Sequence, residues 1–186
     1  ILKKTEYESK KFKGRNDFQA VLALELKKVE SKLFYQAKNL RTVVMLEAEE
    51  IARSAFEGTK VDNCYFPKLR SVDGLAFNNC LIKSIDEESF PVLQIVDTVV
   101  DTITHSGFTN CPIEKLHLPC MEQVPIRGFS GYPFTSVDLP NLIQINDFSF
   151  NNCRNLKIFS AQNLIQIGDS GFSYCNNLKD FSAERL

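Results

Sequence analysis

The side chains best able to carry chemistry in this sequence are its six cysteines and two histidines, His105 and His117. The one cluster with a ligand-like look is Cys111-x5-His117-x2-Cys120. Thiolate and imidazole are zinc ligands, but a closed structural site takes four of them, and this spacing supplies no fourth. A thiol nucleophile would need a base that is itself oriented by a third group, and neither histidine has a convincing neighbour. The acidic run Glu47-Ala48-Glu49-Glu50 could draw a cation or a basic partner, although a solvated turn explains it as well. No catalytic residue, metal ligand or cofactor is therefore expected.

What places these cysteines is a repeat. Phenylalanine recurs at Phe12, Phe34, Phe56, Phe77, Phe108, Phe129, Phe150 and Phe172, with gaps of 22, 22, 21, 31, 21, 21 and 22 residues. Three residues after these stand Arg15, Ala37, Thr59, Cys80, Cys111, Tyr132, Cys153 and Cys175; five before stand Tyr7, Val29, Ile51, Val72, Ile103, Val124, Ile145 and Ile167. Four of the six cysteines thus share one repeat position. Stacked coils would turn them into a column of buried thiols behaving as small hydrophobes. Coils one strand spacing apart, roughly 4.8 Å, bring column neighbours within disulfide range; free thiols are the preferred expectation, because Ala37, Thr59 and Tyr132 fill the same column with no partner to lose.

Each unit opens with an apolar-x-x-apolar-x-apolar run, as in Leu40, Val43 and Met45, or Ile113, Leu116 and Leu118. The last two apolar positions alternate, the period of a short strand with one side buried. Pro67, Pro119 and Pro140 follow, where proline stops a strand without removing a ladder hydrogen bond. In the second half Leu142, Ile145 and Phe150 are spaced by three and then five, too few for a helix, so a single helical turn or tight bend is expected on a convex side. A unit this short cannot bury its apolar face alone, so neighbouring coils must bury one another. The expected fold is an α/β repeat: a leucine-rich-repeat solenoid over residues 1–186, with a concave parallel sheet of seven to eight strands and short convex turns or helical turns. Residues 1–17 form a partial first repeat and 178–186 an incomplete last one. In the one long interval, Phe90 and Leu93 align with Phe66 and Leu69, leaving three extra residues before Phe90 and seven after Asp97. Residues 86–102 are expected as an enlarged, protruding coil.

Composition narrows the partners. The chain has 186 residues and a net charge of -1, which gives no reason to expect nucleic acid. The longest apolar run, Val43-Val44-Met45-Leu46, falls far short of the roughly 20 residues of a membrane span, so none is expected. No basic-then-apolar leader opens the sequence at Ile1, so a mature form or a fragment is expected. No asparagine heads an Asn-x-Ser/Thr sequon, which weighs weakly against a glycosylating route.

The unit Leu-x-x-Phe/Val-x-Leu/Ala-x-x-Leu-x-x-Ile-x-x-x-x-Phe-x-x-Cys, as in Leu156, Phe159, Ala161, Leu164, Ile167, Phe172 and Cys175, resembles the BspA-type leucine-rich repeat. The resemblance covers nearly the whole chain. It implies a protein that binds rather than catalyses, as surface proteins of that family attach to matrix or to other cells. By the same token it implies a cell-surface or secreted location, with the cytoplasm as the alternative.

Strand alternation then places the binding residues, since those between inward positions face out from the sheet. Val44, Tyr65, Lys83, His117, Asp138 and Ile158 are the candidates. Val44, Tyr65 and Ile158 are the apolar or aromatic members best suited to anchor a protein, because such side chains dominate interface energy. The mixed charges of this face argue against a polyanion. The expected function is an interaction or adhesion scaffold for a protein or glycan; the alternative is a structural segment with end-to-end contacts. The apolar Leu178 and Phe181 lack a polar cap like the charged opening Lys3-Lys4, so self-association or further sequence is expected to cover the last coil.

Overall fold

The computed structural model describes residues 1–2, 4, 6–93, 95–96 and 107–186. The chain winds into a parallel β-solenoid of about seven turns. Two strands per turn alternate along it. The odd-numbered strands are β1 (Ala20–Ala23), β3 (Thr42–Met45), β5 (Asn63–Tyr65), β7 (Ser84–Ile85), β9 (Lys115–His117), β11 (Ser136–Asp138), β13 (Ile158–Ser160) and β15 (Asp180–Ser182). The even-numbered ones have two residues each: β2 (Lys28–Val29), β4 (Glu50–Ile51), β6 (Ser71–Val72), β8 (Ile95–Val96), β10 (Gln123–Val124), β12 (Gln144–Ile145) and β14 (Gln166–Ile167). The odd series holds the strands anticipated from the alternating run. Its inward residues Val43, Cys64, Ile85, Leu116, Val137 and Phe159 are buried, and the residues on either side are not.

The second half of each coil departs from expectation. It holds no helix among the described residues, so neither a helical turn nor an α/β class describes the fold. The backbone donors show why. Lys32, Phe34 and Gln36 donate their N–H groups to the carbonyls of Arg53, Ala55 and Glu57 at 3.2, 2.8 and 2.8 Å. Every second donor thus reaches the next coil, whereas a helix would point all of them back along its own chain. Left-handed residues flank the repeat phenylalanines among the described residues and let the turn close. Two positions before the phenylalanine stand Lys32, Ser54, Leu75, Arg127, Phe148 and Ser170; two after it stand Gln36, Gly58, Asn79, Asn110, Gly131, Asn152 and Tyr174. Glycine and asparagine dominate the second set because they enter that region at least cost.

The core is an aromatic stack. Phe34, Phe56, Phe77 and Phe108 lie ring on ring at 5.0–5.1 Å, tilted by no more than 8°. Each is completely buried. The column cysteines face the same interior, and each thiol donates to the carbonyl of the phenylalanine one coil back: Cys80 to Phe56 at 3.3 Å, Cys111 to Phe77 at 3.0 Å, Cys153 to Phe129 at 3.1 Å and Cys175 to Phe150 at 3.0 Å. All six cysteines are free thiols. Each of these carbonyls already accepts a backbone N–H three residues on, as Phe56 does from Thr59 and Phe129 from Tyr132, so the repeat position suits a small apolar side chain whose weak donor fills the second lone pair.

The enlarged coil interrupts the stack in an unexpected way. The odd sheet is split into β1-β3-β5 and β7-β9-β11-β13-β15, so its break lies between β5 and β7. The even sheet is split into β2-β4-β6-β8 and β10-β12-β14, so its break lies one coil later. Phe90 stacks on Phe66 at 5.7 Å and Phe108 on Phe77, but no ring contact links Phe108 to Phe129 among the described residues. The coil therefore joins the C-terminal stack through β7 and the N-terminal stack through Phe90, β8 and Phe108. Phe90 and Leu93 are completely buried, so this part of 86–102 does not protrude as expected; residues 97–102 lie outside the described residues. At the other end, Phe181 stacks on Phe159 at 5.3 Å and is 42 % exposed.

Candidate binding face

Register on the odd-strand face brings the outward residues into rows. In the N-terminal stack Leu22 pairs with Val44 and Val44 with Tyr65, a continuous apolar row. Leu22 and Val44 are half-buried and Tyr65 is 42 % exposed. In the C-terminal stack the same row continues as His117, Asp138, Ser160 and Ser182. This row is thus apolar on one side of the split and polar on the other. Ile158, 48 % exposed, lies in the parallel row with Lys115, Ser136 and Asp180. Lys83 is exposed just before β7, at the lip of the split rather than in either row.

Of the six candidates, two pairs come together. Val44 and Tyr65 are register neighbours, and His117 and Asp138 form a hydrogen bond, Nδ1 to Oδ2 at 2.8 Å. The other imidazole nitrogen, Nε2, stands 3.9 Å from Oε2 of Glu87. The candidate set did not include Glu87. Its signal was nonetheless in the sequence, because it belongs to the three-residue excess that displaces Phe90 from its repeat position.

The split itself is a small opening. Leu81 still donates to the Val61 carbonyl at 2.8 Å on one side, and Phe66 to the Ser89 carbonyl at 2.9 Å on the other, while β5 and β7 are unpaired between them. A cavity of about 280 Å³ lies there, lined by residues that include Asp62, Asn63, Lys83 and Ser84. The Cys111, His117 and Cys120 cluster disperses instead: Cys111 donates to Phe77, Cys120 to the Pro91 carbonyl at 3.4 Å, and His117 pairs with Asp138. Among the described residues, no three histidine, cysteine or carboxylate side chains gather where a metal could be held. Glu47 and Glu50 of the acidic run are each paired across a coil, with Lys68 at 2.7 Å and Lys28 at 3.5 Å.

The fully buried thiols are chemically quiet. Burial pushes Cys80 up to about 12 and raises Cys64 and Cys111 as well. The hydrogen bond shared with Cys175, together with burial, raises Cys153. Cys175 is held below the usual thiol value, because once it ionises the Cys153 thiol donates to it.

Six copies of the BspA type leucine-rich repeat region match residues 5–84 and 101–185. The chain belongs to this family. Among solved structures, it is similar to a leucine-rich repeat protein from Bacteroides ovatus, with a TM-score of 0.56 and 20 % identity. That likeness covers 81 % of this chain and 39 % of the other, and at this identity it speaks for the fold alone. The chain spans well under half the length of that protein. No curated protein matches it. The BspA-type chain described here has no helix long and apolar enough to cross a membrane among its described residues.

Proposed function

We propose that this BspA-type chain is a non-enzymatic scaffold that binds a protein partner along its odd-strand face. The observation that carries the reading is the in-register row Leu22, Val44 and Tyr65, an apolar strip of the N-terminal sheet whose line is taken up beyond the split by the polar pair His117 and Asp138. Exposed aromatic and aliphatic side chains held on a rigid sheet lose little entropy on binding and supply most of an interface's energy. Leucine-rich repeats generally serve protein interaction, which is in keeping with the same reading. Ile158 extends the apolar contact toward the C-terminal stack, and Lys83, His117 and Asp138 would set orientation through charge and hydrogen bonds.

The test is a pull-down of partners from the source cell, followed by hydrogen-exchange footprinting of the complex. Protection centred on Val44, Tyr65 and His117 is the expected result. Protection confined to Phe172, Leu178 and Phe181 would overturn it in favour of end-to-end assembly, and binding to a glycan array with no protein captured would replace the partner class.

A further inference from the structure

The turns at the N-terminal end carry charge that neither the fold nor the odd-strand face uses. Around Phe12 and Phe34, residues 8–16 and 30–38 hold six lysines and arginines against two glutamates, whereas residues 125–133, 146–154 and 168–176, around Phe129, Phe150 and Phe172, hold two against two. The coil therefore does not require these cations. Two residues before the phenylalanine, Lys10 and Lys32 give way to Ser54 and Ser170 in other coils, and one residue after it Lys13 gives way to Ser130 and Ser173. The run Lys10-Lys11-Phe12-Lys13-Gly14-Arg15 also has the local basic density of a polyanion site. Of the six cations only Arg15 forms an ion pair among the described residues, with Asp17, and Glu8 and Glu30 are out of range of all of them. Two of the uncompensated ammonium groups are gathered at one point: Lys13 and Lys32 lie over the Tyr35 ring, 5.4 and 5.7 Å from its centre. Backbone bonds between coils bring them there, since Phe12 and Gly14 donate to the Leu33 and Tyr35 carbonyls at 2.9 and 2.8 Å. Lys32 in turn donates to the Arg53 carbonyl at 3.2 Å, so the exposed Arg53 carries the ridge onto the third coil.

We propose that the ridge of Lys10, Lys13, Lys32 and Arg53 binds a sulfated polysaccharide, at a site separate from the odd-strand face and independent of the reading given for that face. The choice among anions follows from what surrounds the lysines. No exposed large apolar side chain lies within residues 8–16, 30–38 or 52–60. The ridge thus lacks both the anchors that dominate a protein interface and the side chains that would enter a bilayer. Tyr35 is half-buried and its ring already receives two ammonium groups, so it makes a poor platform for stacking a nucleic-acid base. A sulfated chain needs none of these. Its closely spaced negative groups meet several cations along a ridge of three coils, about 10 Å at strand spacing, and the gain comes from released counterions. Lysines held over Tyr35 also have less side-chain freedom to lose on binding than free ones.

The experiment titrates the full chain with a heparin decasaccharide in a calorimeter. Binding should be micromolar at about 50 mM salt and should weaken at least about tenfold at about 200 mM. The variant carrying Lys10→Ser, Lys13→Ser and Lys32→Ser should bind at least about tenfold less tightly at the lower salt. Serine already stands at these positions in other coils, so the turns are kept. Arg53→Ser, which matches Ser9 and Ser31, should weaken binding about threefold and gives the answer if the triple variant does not fold. Tyr65→Ala should leave heparin affinity unchanged, which keeps this site distinct from the one on the odd-strand face. No binding by the unaltered chain, or undiminished binding by the folded lysine and arginine variants, would overturn the site. Hyaluronan, a DNA duplex and phosphatidylserine vesicles are the comparators, and any of them binding as tightly as the decasaccharide would overturn the sulfated chain as its occupant.

Discussion

At the scale of single residues, the buried thiols give the protein an alkaline limit. Cys80 carries a pKa raised from 9.0 to about 12, and Cys64, Cys111 and Cys153 are raised too. The unfolded chain gives up these protons first, so the stability the thiols contribute is complete below about pH 9 and is lost as pH rises through 12. The unfolding free energy from urea titrations should fall over that window by up to roughly 1.4 kcal/mol per pH unit for each such thiol, and Cys80→Ala should make the fall measurably shallower. On the outer face the expectation is opposite in kind. Tyr65→Ala and Ile158→Ala should leave the thermal midpoint within a degree or two while weakening partner binding by about tenfold each, measured by titration calorimetry. Residue types told part of this story in advance. The column position of the cysteines was legible from spacing alone, as was the outward aim of His117 between Leu116 and Leu118. Its meeting with Glu87 was not, because that contact depends on how three unmatched residues fold back.

Among the elements, the strands were legible and the turns were not. Alternation of apolar residues is a local property, and it placed β3, β9 and β13 correctly; the second half of the coil has no such period because left-handed residues on either side of the phenylalanine break the extended backbone. The signal that could have revealed it is the glycine or asparagine two residues after the phenylalanine, at Gly58, Asn79, Asn110, Gly131 and Asn152. Tyr174 occupies that left-handed position with φ of 61° and is largely exposed. A non-glycine residue there carries about 1–2 kcal/mol of strain, partly offset by the entropy glycine loses on folding. Tyr174→Gly should therefore stabilise the protein by up to about 1 kcal/mol, read from denaturant midpoints. Phe150 is the opposite case. It is completely buried and stacks on Phe172 at 5.3 Å, so Phe150→Ala should cost about 3–5 kcal/mol.

Over the whole molecule, the enlarged coil divides one solenoid into two stacks that overlap by a single turn. Because the odd sheet parts before this coil and the even sheet after it, neither stack ends where the other begins. Amides of Lys83 and Ser84, at the unpaired lip, should exchange hydrogen faster than those of Thr135 and Ser136, which donate to the Glu114 carbonyl at 2.8 and 3.3 Å. Equal protection at both places would show that the ladder is continuous in solution. The repeat count foretold an irregular coil, yet which neighbour each half joins depends on long-range packing that spacing does not encode. The parting of Phe108 from Phe129 has an optical consequence as well. Parallel rings about 5 Å apart couple their electronic transitions, and the chain contains no tryptophan to mask them. Near-ultraviolet circular dichroism should then carry phenylalanine fine structure from two separate chromophore arrays, so that each stack reports its own melting without any attached label.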